Sequence, residues 1–234
     1  MTFFLFLMTL SFASTPVELQ WSLCEPSANS FFDKTKVSSA NESKRQVYYL
    51  ETSKMDLYSQ DSFVRTRIEG AKIKRAVKVK YPEIDSIPGA LVEELGLECE
   101  KDSYPGQYKW VCSLKSKPAA QDEELSESEE IYLSSEAHFE NFAALRNWGP
   151  VASSEWTFAL KSRELTLETL RGPEGYFSME LSARVKDTEE KSAFQEIQSW
   201  VQRHKLLLCP VQQGKTGELL KVLIRTRSHT HRGL

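Results

Sequence analysis

The chain has 234 residues, a formal net charge of −3 and 40% hydrophobic residues, enough for one large or two small domains with a real core. Such a balance excludes a globally basic nucleic-acid binder, so any cationic site has to be local.

Residues 3–10 (FFLFLMTL) form a short apolar run followed by Ser11-Phe12-Ala13. The run is too short to cross a bilayer comfortably. With small residues behind it, it predicts a secretory signal over residues 1–13, cleaved so that the chain begins near Ser14, although no Lys or Arg precedes the run. Export would put the four cysteines in an oxidising compartment. Cys99 and Cys112 flank the turn signal Pro105-Gly106 and could pair across a hairpin, leaving Cys24 with Cys209. Three connectivities are open, four buried thiols are the alternative, and no C-x-x-C spacing points to zinc.

Residues 17–23 alternate, with Val17, Leu19, Trp21 and Leu23 facing one way and Glu18, Gln20 and Ser22 the other, which predicts a strand. Residues 31–44 predict a short helix or irregular segment, and 46–52 a second strand. Residues 62–68 put Phe63, Arg65 and Arg67 on one face. Residues 73–80 put Lys74, Ala76, Lys78 and Lys80 on one face. The link Glu69-Gly70-Ala71-Lys72 suits a hairpin. That hairpin would bring Arg65 and Arg67 beside Lys78 and Lys80, and four cations on one face repel unless an anion or acidic side chains sit among them.

Residues 89–97 read as one or two helical turns ended near Gly96. Residues 108–114 read as a strand, and 115–130 as a polar, acidic loop. Residues 131–148, with Phe139, Phe142 and Leu145, predict a helix stopped by Gly149-Pro150. Strands are predicted over 155–160, 164–170 and 176–185. Asp187-Thr188 would cap a helix over 189–204 with Phe194, Ile197 and Val201 on its buried stripe. The basic segment 225–234 is predicted to be a frayed tail.

The class is therefore α+β, with seven or eight mostly antiparallel strands. Several strands have an apolar face and a charged one, as in a one-sided sheet or a closed barrel with a charged interior. Acids gather on the first strand and on 176–185, bases on the hairpin. That segregation suits a site for a divalent cation and phosphate oxygens.

The run Tyr48-Tyr49-Leu50-Glu51-Thr52, then Leu57, Val64-Arg65-Thr66-Arg67 and Val77-Lys78-Val79-Lys80, resembles the CYTH superfamily of triphosphate tunnel metalloenzymes. The resemblance implies a single domain over residues 14–224 folded as an eight-stranded, mostly antiparallel tunnel. It implies anion-binding roles for Arg65, Arg67, Lys78, Lys80 and Arg184, and Mg²⁺ or Mn²⁺ ligation by Glu18 and Glu180, helped by Glu51 or Glu168. Of the family's ExExK strand motif only Glu18 survives, with Gln20 and Ser22 in the other two positions, and Ser182 stands where a second acid would follow Glu180. The implied ligand is inorganic tri- or polyphosphate or another phosphorylated small anion, with no nucleic acid and no stable membrane anchoring. The implied activity is metal-dependent phosphohydrolysis. The alternative is an exported, non-catalytic binding or interaction protein whose tunnel charges pair internally.

Gln213-Gly214-Lys215-Thr216 imitates the end of a P-loop, but its first glycine would fall at Cys209, so Lys215 reads as a surface-loop residue. His138, His204, His229 and His231 lack metal-ligand spacing. Ser59, Ser178 and Ser182 lack the G-x-S-x-G setting of a serine hydrolase.

Overall fold

The computed structural model describes residues 15–38, 42–119 and 124–230, with side chains up to 227. The segment expected to be a signal lies outside the described residues.

Nine strands close into a barrel: β1 (Pro16–Leu23), β2 (Glu42–Glu51), β3 (Ser62–Glu69), β4 (Lys72–Tyr81), β5 (Glu98–Tyr104), β6 (Gln107–Ser116), β7 (Arg146–Leu160), β8 (Arg163–Arg171) and β9 (Phe177–Lys186). Their order around the barrel is β1-β5-β6-β4-β3-β2-β7-β8-β9. All neighbours are antiparallel except β1 and β5, which run parallel. The expected eight-stranded tunnel is thus a mixed, nine-stranded one. The added strand is β5, whose exposed Glu98 and alternate side chains Glu100, Asp102 and Tyr104 give it no hydrophobic alternation.

Among the described residues six α-helices accompany the barrel: α1 (Ala28–Thr35), α2 (Asp56–Ser59), α3 (Gly89–Leu95), α4 (Glu127–Ala137), α5 (Glu190–Arg203) and α6 (Thr216–Thr230). The outward face of β1, with Val17, Leu19, Trp21 and Leu23, packs with β9 under Ile197, Trp200 and Val201 of α5. The outward faces of β4 and β6 pack under Tyr132, Leu133 and Ala137 of α4. Burial of these apolar faces is what turns the polar alternate residues inward. α6 does something different. Its Leu219, Leu220 and Leu223 pack on Val47, Tyr49, Phe63, Val151 and Leu170, which share the inward face with Arg65 and Arg67 in the strand register. The interior is therefore apolar and sealed under α6, and charged beyond it.

Three expectations are corrected. The helix expected over 131–148 ends at His138, which takes the left-handed conformation (φ 49°). Phe142 begins a 3-10 turn, and Phe139, Phe142 and Leu145 reach the α4 core from there, because a spacing of three also suits a 3-10 turn. Gly149-Pro150 then lies inside β7, at the register shift between β2 and β7, where a Cβ on Gly149 (φ +136°) would stand 2.8 Å from the Val47 carbonyl oxygen. Residues 187–189 form a 3-10 turn, and the helix after them begins without a side-chain cap. Of the segment expected as a frayed tail, the part up to Thr230 continues α6, with Arg225 Nη2 2.6 Å from Glu174 Oε2, and residues 231–234 lie outside the described residues.

Two disulfides join Cys24 to Cys209 and Cys99 to Cys112. No helix among the described residues is long and apolar enough to cross a membrane.

Candidate functional site

The charged interior encloses a cavity of about 520 Å³, within the usual size range of small-molecule sites. All seven residues singled out from sequence line it: Glu18, Arg65, Arg67, Lys78, Lys80, Glu180 and Arg184. The lining is not cationic as a whole, since its described residues comprise seven acidic and seven basic side chains. The charges are instead sorted into three groups.

The first group is acidic. The parallel pairing of β1 and β5 sets Glu18 opposite Asp102, and a carboxylate oxygen from each of Glu18, Glu100 and Asp102 lies within 4.8 Å of the other two. Burial, then the neighbouring Glu100 carboxylate, pushes the Glu18 carboxyl above its ordinary range. Burial drives the Asp102 carboxyl up to about 7, with Lys78 opposing and Glu18 and Glu100 adding. Asp102 Oδ1 is buried with no hydrogen-bond partner. The cations nearby are held loosely: Lys78 Nζ is 3.4 Å from Glu100, and Arg184 Nη2 is 3.2 Å from Glu100 and 3.8 Å from Glu18. Three convergent hard oxygen donors, one of them orphaned, fit a small divalent cation such as Mg²⁺ or Mn²⁺. Gln20, in the place of a second motif carboxylate, accepts from the Tyr104 hydroxyl and donates to Glu18 Oε2 at 3.1 Å, which orients Glu18.

The second group is basic. The Arg65 side chain forms no ion pair or hydrogen bond among the described residues. Arg67 Nη2 is 3.4 Å from Glu168 Oε1, while its Nε is buried without a partner. The charge of Arg65, then burial, holds the Arg67 guanidinium below its ordinary value. Lys80 Nζ sits 5.2 Å from the centre of the Tyr58 ring and 5.6 Å from that of Phe63. Burial lowers its affinity for a proton. These are cations whose donors are left over after the protein's own acids have been used. The register differs from the expected juxtaposition: Phe63 faces Lys78, Arg65 faces Ala76 and Arg67 faces Lys74. Lys78 accordingly belongs with the acidic group.

The third group lies beneath α6. Glu168 and Glu180 are directly opposite in the β8–β9 register, an arrangement that like charges oppose. Lys215 Nζ lies between them, 2.8 Å from Glu168 Oε2 and 3.2 Å from Glu180 Oε1. Burial opposes ionisation of Glu168, but Lys215, Arg67 and Arg65 outweigh it and hold the carboxyl well below the carboxylate range. Lys215 is likewise buried, and the two carboxylates hold its ammonium well above the ordinary lysine value. Glu180 is thus engaged with Lys215, and the three-carboxylate group contains Glu18 but not Glu180. Glu51 is farther away in role: its carboxylate accepts from the backbone N–H groups of Thr52, Leu57 and Tyr58, the start of α2 among them.

The sequence reading missed Glu100, Asp102 and Lys215. The first two sit on the strand without hydrophobic alternation. Lys215 was read as a surface-loop residue, whereas the Cys24–Cys209 bond and the Leu23–Leu208 pairing carry its segment across the barrel mouth. Its one signal was the Gly-Lys-Thr run, and that pointed to a different fold.

A closed barrel with a charged interior and flanking helices is the layout that the sequence resemblance implied. No protein-family model and no curated protein matches the sequence. Among solved structures, an adenylyl cyclase candidate from Hippeastrum, described as having a dominant triphosphatase activity, is 13% identical, with 91% of this chain and 96% of that one covered at a TM-score of 0.59. An adenylate cyclase candidate from Bacillus halodurans is 15% identical, with 86% and 95% covered at a TM-score of 0.52. At these identities the likeness establishes the fold.

Proposed function

We propose that the chain is an exported CYTH-family phosphohydrolase that takes inorganic tripolyphosphate or short polyphosphate into the barrel with Mg²⁺ or Mn²⁺. The observation that carries this reading is the sorting of charge: Arg65, the Arg67 Nε and Lys80 form no ion pair with a carboxylate among the described residues, while Glu18 and Asp102 line the same cavity and converge with Glu100. A protein whose tunnel charges only paired with one another would leave neither those cationic donors nor the buried Asp102 Oδ1 without a partner. The two disulfides support an oxidising, exported environment, in which nucleoside triphosphates are scarce and an inorganic phosphate chain is the more fitting ligand.

Arg65 and Arg67 would donate to the phosphate oxygens, Arg in forked geometry and with its charge independent of pH. Lys80 would add a point charge. Glu18, Glu100 and Asp102 would hold the divalent cation, which when bound neutralises phosphoryl oxygens and acidifies water. Gln20 keeps Glu18 oriented. Asp102 must shed its proton for the group to act, and Lys78 and Arg184 favour that loss. Catalysis of this kind is positioning and charge stabilisation, and little else is asked of the protein.

The test is phosphate release from tripolyphosphate with Mn²⁺, comparing the parent with Arg65→Ala and Asp102→Asn. Loss of one oxyanion-stabilising donor typically costs on the order of 10²–10³ in rate, which is the fall expected of Arg65→Ala, and Asp102→Asn is expected to lower release through weaker retention of the cation. Release that is unaffected by both substitutions would dismiss the assignment.

A further inference from the structure

Lys215 occupies a place where a cation is required whatever the ligand. Glu168 and Glu180 face each other across β8 and β9, and both carboxylates are almost wholly covered. Two such anions in contact need a positive charge between them. The strand residue opposite Glu180 on β1 is Ser22, the position where the family motif has lysine, and a serine cannot supply the charge.

The charge comes instead from the far end of the chain. Ser22 N–H donates to Gln212 Oε1 at 2.9 Å, its hydroxyl donates to the Gln213 carbonyl at 3.0 Å, and Gln212 Nε2 donates back to the Ser22 carbonyl at 2.9 Å. Cys209 is bonded to Cys24 just beyond β1. The Tyr176 hydroxyl donates to the Lys215 carbonyl at 3.2 Å. The segment is therefore fastened on both sides of Lys215, and its ammonium is delivered to the carboxylate pair.

We infer that Lys215 is the resident cation of the Glu168–Glu180 pair, so that the barrel takes one divalent cation, at Glu18, Glu100 and Asp102, and not two. This rests on the proposed function for the first ion, while the Lys215 half stands by itself. An ammonium between the two carboxylates satisfies their charge and occupies the volume a second ion would need. It is a positioning residue: it acts through Glu168, which in turn meets Arg67 at 3.4 Å and Ser153 Oγ at 3.0 Å.

The experiment is a Mn²⁺ titration near neutral pH, read by calorimetry and by the electron paramagnetic resonance signal of free Mn²⁺. The expected stoichiometry is one for the parent, two for Lys215→Gln, and one again for Lys215→Gln/Glu180→Gln. Asp102→Asn/Lys215→Gln should retain one ion, held at the exchanged pair. If Lys215→Gln fails to fold without metal, the parent still decides: two ions bound there would overturn the inference. A single ion in both the parent and folded Lys215→Gln would also overturn it. No ion in the parent but one in Lys215→Gln would defeat the proposed metal site and leave the role of Lys215 standing.

Discussion

Replacing Lys215 with Met removes the only atom that bonds both Glu168 and Glu180 among the described residues. The lysine side chain is 11% exposed and the carboxylates 11% and 14%, so solvent screens the interaction weakly. Removing one partner of a buried ion pair costs about 3–5 kcal/mol, because the remaining charge is stranded. Glu168 keeps its contacts with Arg67 and Ser153, which places the expected loss near the lower end, about 3 kcal/mol. For a domain of this size that is roughly 6–12 °C in melting temperature. The sign with pH follows from the two shifts. Glu168 is depressed below its ordinary 4.5, so its contribution is present above that value and is lost as pH falls through the folded value. Lys215 is raised above 10.5, so its contribution is present below that value and is lost as pH rises through the folded one. The full difference between parent and variant should hold from about pH 5 to 10 and narrow in acid, as the stranded carboxylates protonate. Urea unfolding of both proteins across pH measures it. A loss under about 1 kcal/mol at pH 7, or one that does not change in acid, would refute the reasoning.

Arg65→Met should change the stability of the ligand-free protein by less than about 1 kcal/mol, because relief of the repulsion that lowers the Arg67 value is offset by loss of the attraction that Arg65 exerts on the Glu168 carboxylate; the same variant should bind tripolyphosphate at least tenfold more weakly by calorimetry. Mn²⁺ affinity should rise about tenfold per pH unit up to about 7 and then level off, since Asp102 titrates at about 7 and its proton competes with the ion; Asp102→Asn should flatten that profile. The raised value also means that ionising Asp102 lowers the stability of the metal-free fold as pH climbs from the ordinary 3.8 through 7. Removing the Cys24–Cys209 bond, which closes a separation of 185 residues, should cost about 2 kcal/mol more than removing Cys99–Cys112, which closes 13, by loop-closure entropy. Paired Cys→Ser variants compared by urea denaturation would measure the difference.

How much of this was legible beforehand depended on which face of each strand carried the pattern. β1, β3, β4, β8 and β9 bury apolar residues outward, so their alternation betrayed both the strand and its charged side. Arg65, Arg67, Lys78, Lys80, Glu18, Glu180 and Arg184 could be nominated on that ground, and each lines the cavity. β5 carries little to bury beyond Cys99 and Ser103, so a periodicity of hydrophobic residues passed over it, and Glu100 and Asp102 with it. The closure of the barrel by a parallel β1–β5 pair is a long-range event with no local signature. The same holds for Lys215, which lies 47 residues from Glu168 and 35 from Glu180 in sequence. It reaches them only because the chain folds back over Ser22. Position 22 did register the missing lysine, and only the three-dimensional path shows what stands in for it. The segment after Arg225 looked like a polar tail because its sequence is basic and polar, whereas Leu219, Leu220 and Leu223 anchor the helix that leads into it.

The central claim is that the leftover cations and the converging carboxylates form one site for a phosphate chain with a divalent ion. The measurement that tests it most directly is a thermal-shift titration of the protein with tripolyphosphate, with and without Mn²⁺. A ligand that binds only the native state stabilises it by mass action, about 2.7 kcal/mol at a hundred times its dissociation constant. The account predicts a small shift with tripolyphosphate alone, a larger one with Mn²⁺ present, and neither in Arg65→Ala. An unmoved melting temperature under both conditions would contradict it, and would mean that the charges of the barrel serve only one another.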